Sequence, residues 1–378
     1  MPVEFIGMIR AANVSELDDP PGTSHERTID RDYLRAFVRA HEDGGFDRVL
    51  IGYFSTGPDG WSIASYGAAH SERLGFLIAH RPGFVSPTVA ARKAVTLDHL
   101  TGGRVALHII TGGSDAEQRK DGDWLDHDSR YRRTDEYLEI LRRMWTSETP
   151  FSYEGAFYNV QDAYSDLKPV QRPSIPIYFG GSSGPAIEVG AKRADVYALW
   201  GEPLAAVKEQ IAAIQAAAPA NRSPRFSVSL RLILGATEAE AWQKAREHLD
   251  RIVSLLGGRR IADGSARPGA VGAQRLLEFA ARQEVFDKRL WTAIAGATGA
   301  AGNTTALVGT PEQVAESLLG YYEAGVSTIL VRGFRPLEDA IAYGREVIPL
   351  VRAEVARREV AARARAAELD AAGRSGAV

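Results

Sequence analysis

The chain has 378 residues, 45% of them apolar and 25% charged, with a net charge of −3 and no cysteine. That balance is ordinary for a globular protein, and it excludes a disulfide framework, a thiolate nucleophile and a Cys-based zinc or iron–sulfur site. It offers nothing to a nucleic-acid backbone or an anionic membrane surface, no apolar run nears the ~18 residues of a membrane span, and MPVEFIGMIRAANVSE lacks the basic and apolar regions of a signal peptide, so a cytoplasmic protein is expected.

Short apolar runs alternate with longer amphipathic ones. VEFIGMI (3–9) predicts a strand, and IDRDYLRAFVRAHEDGG (29–45) a helix ended by a glycine pair. DRVLIGY (47–53), RLGFLIAH (73–80) and GRVALHII (103–110) predict strands, with helices at 61–70 and 87–100 between them. A long helix at 128–148 and a small hairpin in FSYEGAFYNV (151–160) follow. IPIYFGG (175–181), DVYALW (195–200) and FSVSLRLIL (226–234) continue the strands, with helices at 185–193, 204–218 and 238–258. An irregular region reaches about 306. A helix at 311–325, the strand VSTILVRG (326–333) and a helix at 336–355 complete the pattern, and the Ala/Arg/Glu-rich tail (356–378) extends that helix before fraying.

Strands alternating with helices imply parallel pairing. A doubly wound sheet is possible, but no G-x-G-x-x-G follows the first strand. Eight βα units point instead to one closed (β/α)8 barrel over 1–355, with insertions at about 149–174 and 259–306. The second insertion reads as a mobile lid.

A barrel carries its chemistry at the C-terminal strand ends. The turn IYFGGSS (177–183) stands there: Gly180 and Gly181 permit close backbone approach, and Ser182 and Ser183 precede a helix start. The pattern suits a phosphate, although a βα turn needs Gly and an N-cap needs Ser with no ligand present. Ser229 and Arg231 share a strand face. No histidine pattern has metal-ligand spacing, and neither a G-x-S-x-G elbow nor a Walker loop is present, so no metal is expected. His80 and His108 lie inside apolar strands, where a hydrogen-bonded core histidine is the plain alternative to a role. The residues alone leave a phosphorylated cofactor and a phosphorylated substrate equally open.

RPGFVSPTVAARKAVTLDHLTGGR (81–104), TGGSDAE (111–117), DGDWLDHDSRY (121–131), KPVQRPSIPIYFGGSS (168–183), WGEP (200–203) and TALVGTPEQVAE (305–316) resemble the bacterial-luciferase-like flavin monooxygenases, most of all the alkanesulfonate monooxygenase group. The resemblance spans almost the whole chain, in order. It implies reduced FMN (FMNH2) delivered by a separate NAD(P)H-dependent FMN reductase, and O2 adding at flavin C4a to give a peroxyflavin that attacks a small organic substrate. In the sulfonate enzymes a carbon–sulfur bond then breaks. It implies a homodimer or homotetramer. By position, Ser182 and Ser183 with Gly180 and Gly181 would hold the FMN phosphate, helped by Tyr131. Thr111 and His108 would lie along the isoalloxazine and ribityl chain. Arg231, Trp200 and His108 become the catalytic candidates, and Arg231, Ser229, Trp200, Phe334 and Tyr53 the substrate-binding ones.

The sequence departs from the sulfonate group at four places. Gly57 stands for a Cys, Ser229 and Arg231 for an Arg-x-His pair, ATGAAGNTTALVG (297–309) lacks an Arg, and Phe334 replaces a Tyr. Arg231, with Arg332 or a lid arginine (Arg259, Arg260, Arg267), could still seat an anion, because a buried sulfonate needs cationic donors. A sulfonate or sulfone is one reading of the substrate, and other small organics stay open. Arg231 could instead pair with a carboxylate such as Asp59. Trp200 could be rim packing, Tyr131 a helix cap and the lid arginines a solvated face. A deazaflavin F420 hydride-transfer enzyme and a catalytically inactive flavin-binding protein are the competing functions.

Overall fold

The structure, a computed structural model, describes residues 2–19, 26–257, 268–302 and 304–375. In chain order, β1 (Glu4–Ile9) leads to α1 (Arg31–Asp43), β2 (Arg48–Ile51) to α2 (Gly60–Ala68), and β3 (Gly75–His80) to α3 (Pro87–Thr101). β4 (Val105–Ile109) precedes the short α4 (Asp115–Lys120) and the long α5 (His127–Thr146). The hairpin β5 (Phe151–Glu154) and β6 (Asn159–Ala163) follows. Next come β7 (Ile177–Gly180), α6 (Gly184–Arg193), β8 (Val196–Trp200), α7 (Leu204–Ala217), β9 (Arg225–Leu234) and α8 (Glu238–Leu255). The following described stretch holds α9 (Val271–Arg282), β10 (Val285–Phe286), β11 (Leu290–Trp291) and α10 (Ala293–Thr298). The chain closes with β12 (Ala306–Gly309), α11 (Pro311–Glu323), β13 (Val326–Arg332), α12 (Pro336–Glu346) and α13 (Ile348–Ser375).

Local chemistry sets the helix starts. Asp30, Asp59, Asp126 and Ser183 each accept a backbone N–H of the first turn of α1, α2, α5 and α6. Thr237 and Thr310 form capping boxes with Glu240 and Gln313. α12 stops at Val347, two residues before Pro349, which has no N–H to continue the ladder. The single terminal helix expected from 336 onward is therefore two helices.

The strands pair in the ring β13-β1-β2-β3-β4-β7-β8-β9, which β9 closes back onto β13. Every pairing in the ring is parallel. The closure makes a (β/α)8 barrel and sets aside the doubly wound alternative. Ile6, Leu77, Ala106, Tyr178 and Val196, with Leu50 and Leu330, fill its interior. The larger core lies outside, between strands and helices.

β9 is longer than its neighbours and overshoots the rim. It pairs with β8 through Ser229, and from Arg231 onward its freed edge takes β12. β11 then adds antiparallel to β12, and β10 antiparallel to β11. Residues 268–302, expected to be irregular, are two helices and an antiparallel pair. Tertiary contacts order them: Trp291 and Ile294 join a cluster with Ile233, Val308 and Phe334, and Leu276 packs with Ala295 and Trp200. The lid arginines Arg259, Arg260 and Arg267 lie outside the described residues. Among the described residues no helix is long and apolar enough to cross a membrane.

Candidate active site

The first half of the site is built at the ends of β4, β7 and β8. Alternation from Ala106, Tyr178 and Val196 turns His108, Gly180, Ala198 and Trp200 inward. Register sets Ala79 on one side of His108 and Tyr178 on the other, with the small residues Gly180 and Ala198 paired one step nearer the mouth. His108 Nδ1 is buried with no hydrogen-bond partner, and burial holds the ring down at about 4, so it is neutral near pH 7. An orphaned polar atom above a small-residue floor suits a flat ring that carries hydrogen-bonding edges. A Cβ on Gly180 would meet Ala198 O at 3.3 Å and His108 Cε1 at 3.7 Å. Gly180→Ala should therefore cost about 1 kcal/mol of stability, read by a melt, and weaken flavin roughly tenfold, read by a fluorescence titration.

The turn after β7 is tightly made. Gly181 has φ +155°, and a Cβ there would lie 2.6 Å from that of Ala186. Tyr197 Oη donates to Gly181 O at 2.7 Å. Ser183 caps α6, as the plain reading had it, and its hydroxyl also faces Tyr131. Tyr131 lies inside α5, whose cap is Asp126, so its reading as a helix cap is corrected. The Tyr131 hydroxyl is within 3.1 Å of where a Gly181 Cβ would sit. Thr111 is buried, its hydroxyl 3.3 Å from that of Thr134. Backbone N–H groups at a helix start, two hydroxyls and a tyrosine together form an anion cradle.

The second half lies across the mouth, on β1, β9 and β13. Arg10, Arg231 and Arg332 continue the inward parity of Met8, Ser229 and Leu330. They converge on Glu16: Arg231 Nη2 lies 2.5 Å from Oε2, with Arg10 and Arg332 at 3.4 and 3.7 Å from Oε1. The carboxylate partner of Arg231 is thus Glu16, and Asp59 instead caps α2 through Ser62. Burial would raise the Glu16 carboxyl, but Arg231, Arg332 and Arg10 outweigh it and hold it at about 2. Burial, with Arg231 repelling, brings Arg332 down to about 9. Arg231 is 1% exposed, donates to Gly333 O at 3.1 Å and lies 4.4 Å over the Phe334 ring. Phe334 is itself buried, packed between Arg231 and His248, so it backs Arg231. Ser229 is half-buried and in register with Trp200.

A depressed carboxyl stabilises the fold above its unfolded value and loses that contribution as pH falls through its folded one. Glu16 should therefore contribute about 3 kcal/mol at pH 7, lost between about pH 4.5 and 2. Glu16→Gln should flatten acid unfolding in that window, as followed by circular dichroism.

β2 and β3 supply the remaining wall. Tyr53 Oη donates to Asp121 at 2.8 Å, its ring lies under Arg81 at 4.3 Å, and burial with Asp121 raises its hydroxyl to about 12. His80 points away from the barrel axis and bonds Tyr137 Oη at 2.6 Å, which makes it the core histidine of the plain reading. The 268–302 segment spans the mouth above both halves. Gly272 packs on Trp200 and near Ser182, Ala270 on Gly113, and Gly302 beside Arg332. Trp200 is therefore both rim packing and a wall.

Glu16, Arg10, Arg81, Glu202, Gln210 and Arg275 had no role in the sequence reading. Inward parity past the strand ends could have found Arg10 and Arg81. No local signal marks the others.

A parallel barrel with hydroxyls and a helix start at one side of its mouth, a neutral imidazole beside them and an arginine cluster further round suits a phosphorylated ligand. Residues 9–328 match the family described as luciferase-like monooxygenase, and the chain belongs to that family. Membership makes it a flavoprotein of monooxygenase type. Solved structures share the fold. A riboflavin lyase (RcaE), determined with modified FMN and riboflavin, aligns at TM-score 0.76 and 19% identity, covering 94% of this chain and 92% of that one. DmoA from Hyphomicrobium sulfonivorans aligns at 0.74 and 19%, covering 94% and 89%. An F420-dependent secondary alcohol dehydrogenase aligns at 0.66 and 15%, covering 93% and 99%.

Proposed function

We propose that the chain is the oxygenase of a two-component system that uses FMNH2 from a separate NAD(P)H-dependent FMN reductase, together with O2. The substrate is a small organic acid, and an organosulfur acid such as a sulfonate is the class we favour. The carrying observation is the opposition of the His108–Gly180–Ser182–Ser183 cradle and the Arg10–Arg231–Arg332 cluster under one roof. Three guanidinium groups around Glu16 form a cationic wall, which suits an acid group and opposes a neutral one. Reduced FMN supplies two electrons to O2, so that one oxygen enters the substrate and the other leaves as water. For a sulfonate the products are then an aldehyde and sulfite.

The chain's own residues prepare that step. Ser182, Ser183 and Tyr131 would hold the phosphate, and the neutral His108 would meet the ring. Arg231, buried against Glu16 and Phe334, is a rigid mount for Glu16, and Arg10 and Arg332 carry the cluster's charge to the cavity. The 268–302 roof excludes water and limits unproductive oxidation. We place the protein in the cytoplasm as a homodimer or homotetramer, which light scattering checks. Turnover with 18O2, FMNH2 and paired substrates tests the function. Label should enter the product of an organic sulfonate or carboxylate, an aldehyde product being trapped by reduction to the alcohol before its oxygen exchanges with water, and should not enter a product of the neutral ester. Equal labelling of acid and ester would remove the role of the arginine cluster, and flavin oxidation without labelled product from any acid would count against the reaction.

A further inference from the structure

A chain of bonds joins the phosphate turn to the roof. Glu202 is fully buried in the loop after β8. Its carboxylate accepts Arg275 Nε at 2.8 Å and Nη2 at 2.6 Å, a two-pronged pairing, and Gln210 Nε2 at 2.8 Å. Gln210 Oε1 accepts the Ser182 hydroxyl at 3.4 Å. A carboxylate only accepts, so the amide NH2 must face Glu202 and the amide oxygen must face Ser182. The main chain of Glu202 is pinned as well. Its N–H donates to Trp200 O, and its C=O accepts Tyr321 Oη, each at 2.8 Å. Glu202 therefore stays with the barrel. Arg275 belongs to α9, and its guanidinium adds a charged tie to the packing of Leu276 on Ala295 and Trp200.

One turn earlier, Gly272 lies near Ser182 and against Trp200. The N-cap of α9 is Ala270, whose methyl cannot cap, and no side chain among the described residues caps the first-turn N–H groups. The helix start is thus held over the turn by a pairing further along the same helix.

We propose that Arg275, Glu202 and Gln210 are positioning residues that latch α9 over the phosphate end of the flavin, so that the roof closes on the phosphate and not on the ring system. The proposal rests on Ser182 and Ser183 being the phosphate turn. Ser182 has one hydroxyl proton. Without an anion it goes to Gln210 across a long bond, and a phosphate oxygen, the stronger acceptor, takes it at small cost. The same phosphate satisfies the uncapped N–H groups of α9. By linkage, whatever holds α9 closed tightens the phosphate ligand by the same factor.

Amide hydrogen exchange on the full chain under anaerobic conditions tests this, with FMNH2 and reduced riboflavin compared. FMNH2 should slow exchange across 271–282 roughly tenfold more than riboflavin does. Arg275→Ala should abolish that difference and release FMNH2 roughly tenfold faster, and Arg275→Lys should restore part of both. If Arg275→Ala does not fold, Gln210→Met decides: lost phosphate-dependent protection supports the latch, and retained protection overturns it. Equal protection of 271–282 by both flavins, with FMNH2 still preferred, overturns the latch alone. So does a folded Arg275→Ala that keeps the FMNH2-specific protection. Equal binding of FMNH2 and riboflavin by the unaltered protein overturns the phosphate turn, and the latch with it.

Discussion

Ser182→Ala combined with Ser183→Ala is expected to cost roughly 100-fold in FMNH2 affinity and to leave riboflavin within about threefold. Each hydroxyl can donate one charge-assisted bond to a phosphate oxygen, and such bonds are worth about 1.5–3 kcal/mol. Riboflavin has no phosphate, so it does not use them. Ser183 also caps α6, and its loss should lower stability by about 1 kcal/mol, whichever flavin is present. The two effects separate cleanly: a melt reads the cap, and the ratio of the two flavin affinities reads the phosphate. An equal loss for both flavins would mean that the turn shapes the pocket without holding phosphate.

Arg231→Ala should have the largest effect on stability, about 3 kcal/mol, because it removes a fully buried guanidinium and strips the shortest partner from the half-buried Glu16 carboxylate. Arg10 and Arg332 remain near Glu16 and limit the loss. Removing both charges is milder. Arg231→Met with Glu16→Gln keeps the packing over Phe334 and leaves no naked carboxylate, so the pair should be more stable than Arg231→Ala alone, by urea unfolding. FMNH2 binding should persist in all of these, because the flavin cradle lies on β4, β7 and β8. The KM for an acidic substrate should rise at least about tenfold. A variant that lost FMNH2 instead would place Arg231 in the flavin site.

The barrel was legible because its strands are buried on both faces. GFLIAH and VALHI read as unbroken apolar runs between amphipathic helices, and that pattern survives without tertiary knowledge. The phosphate turn was legible because glycines and hydroxyls before a helix are local chemistry. Glu16 was not, since it sits in an irregular loop 215 positions from Arg231 and meets it only when the barrel closes. Asp59 drew attention as a partner, although its spacing to Ser62 already fitted a helix cap. The 268–302 segment looked irregular because the insertion that contains it is rich in Gly and Arg, as in RRIADGSARPGAVGA. Contacts made elsewhere in the chain, above all Arg275 with Glu202 and Trp291 with the β9 overhang, decide its structure. Phe334 read as a substrate contact because it stands where the sulfonate group has a Tyr, and its ring packs against Arg231.

The central claim is that this barrel binds reduced FMN for reaction with O2. Anaerobic titration of the protein with FMNH2, FMN and F420 in parallel, followed by admission of air, tests it most directly. The account predicts clear preference for FMNH2 and a transient absorbance change on oxygenation before oxidised flavin appears. Preference for F420, or equal binding of both FMN redox states with no transient, would contradict it.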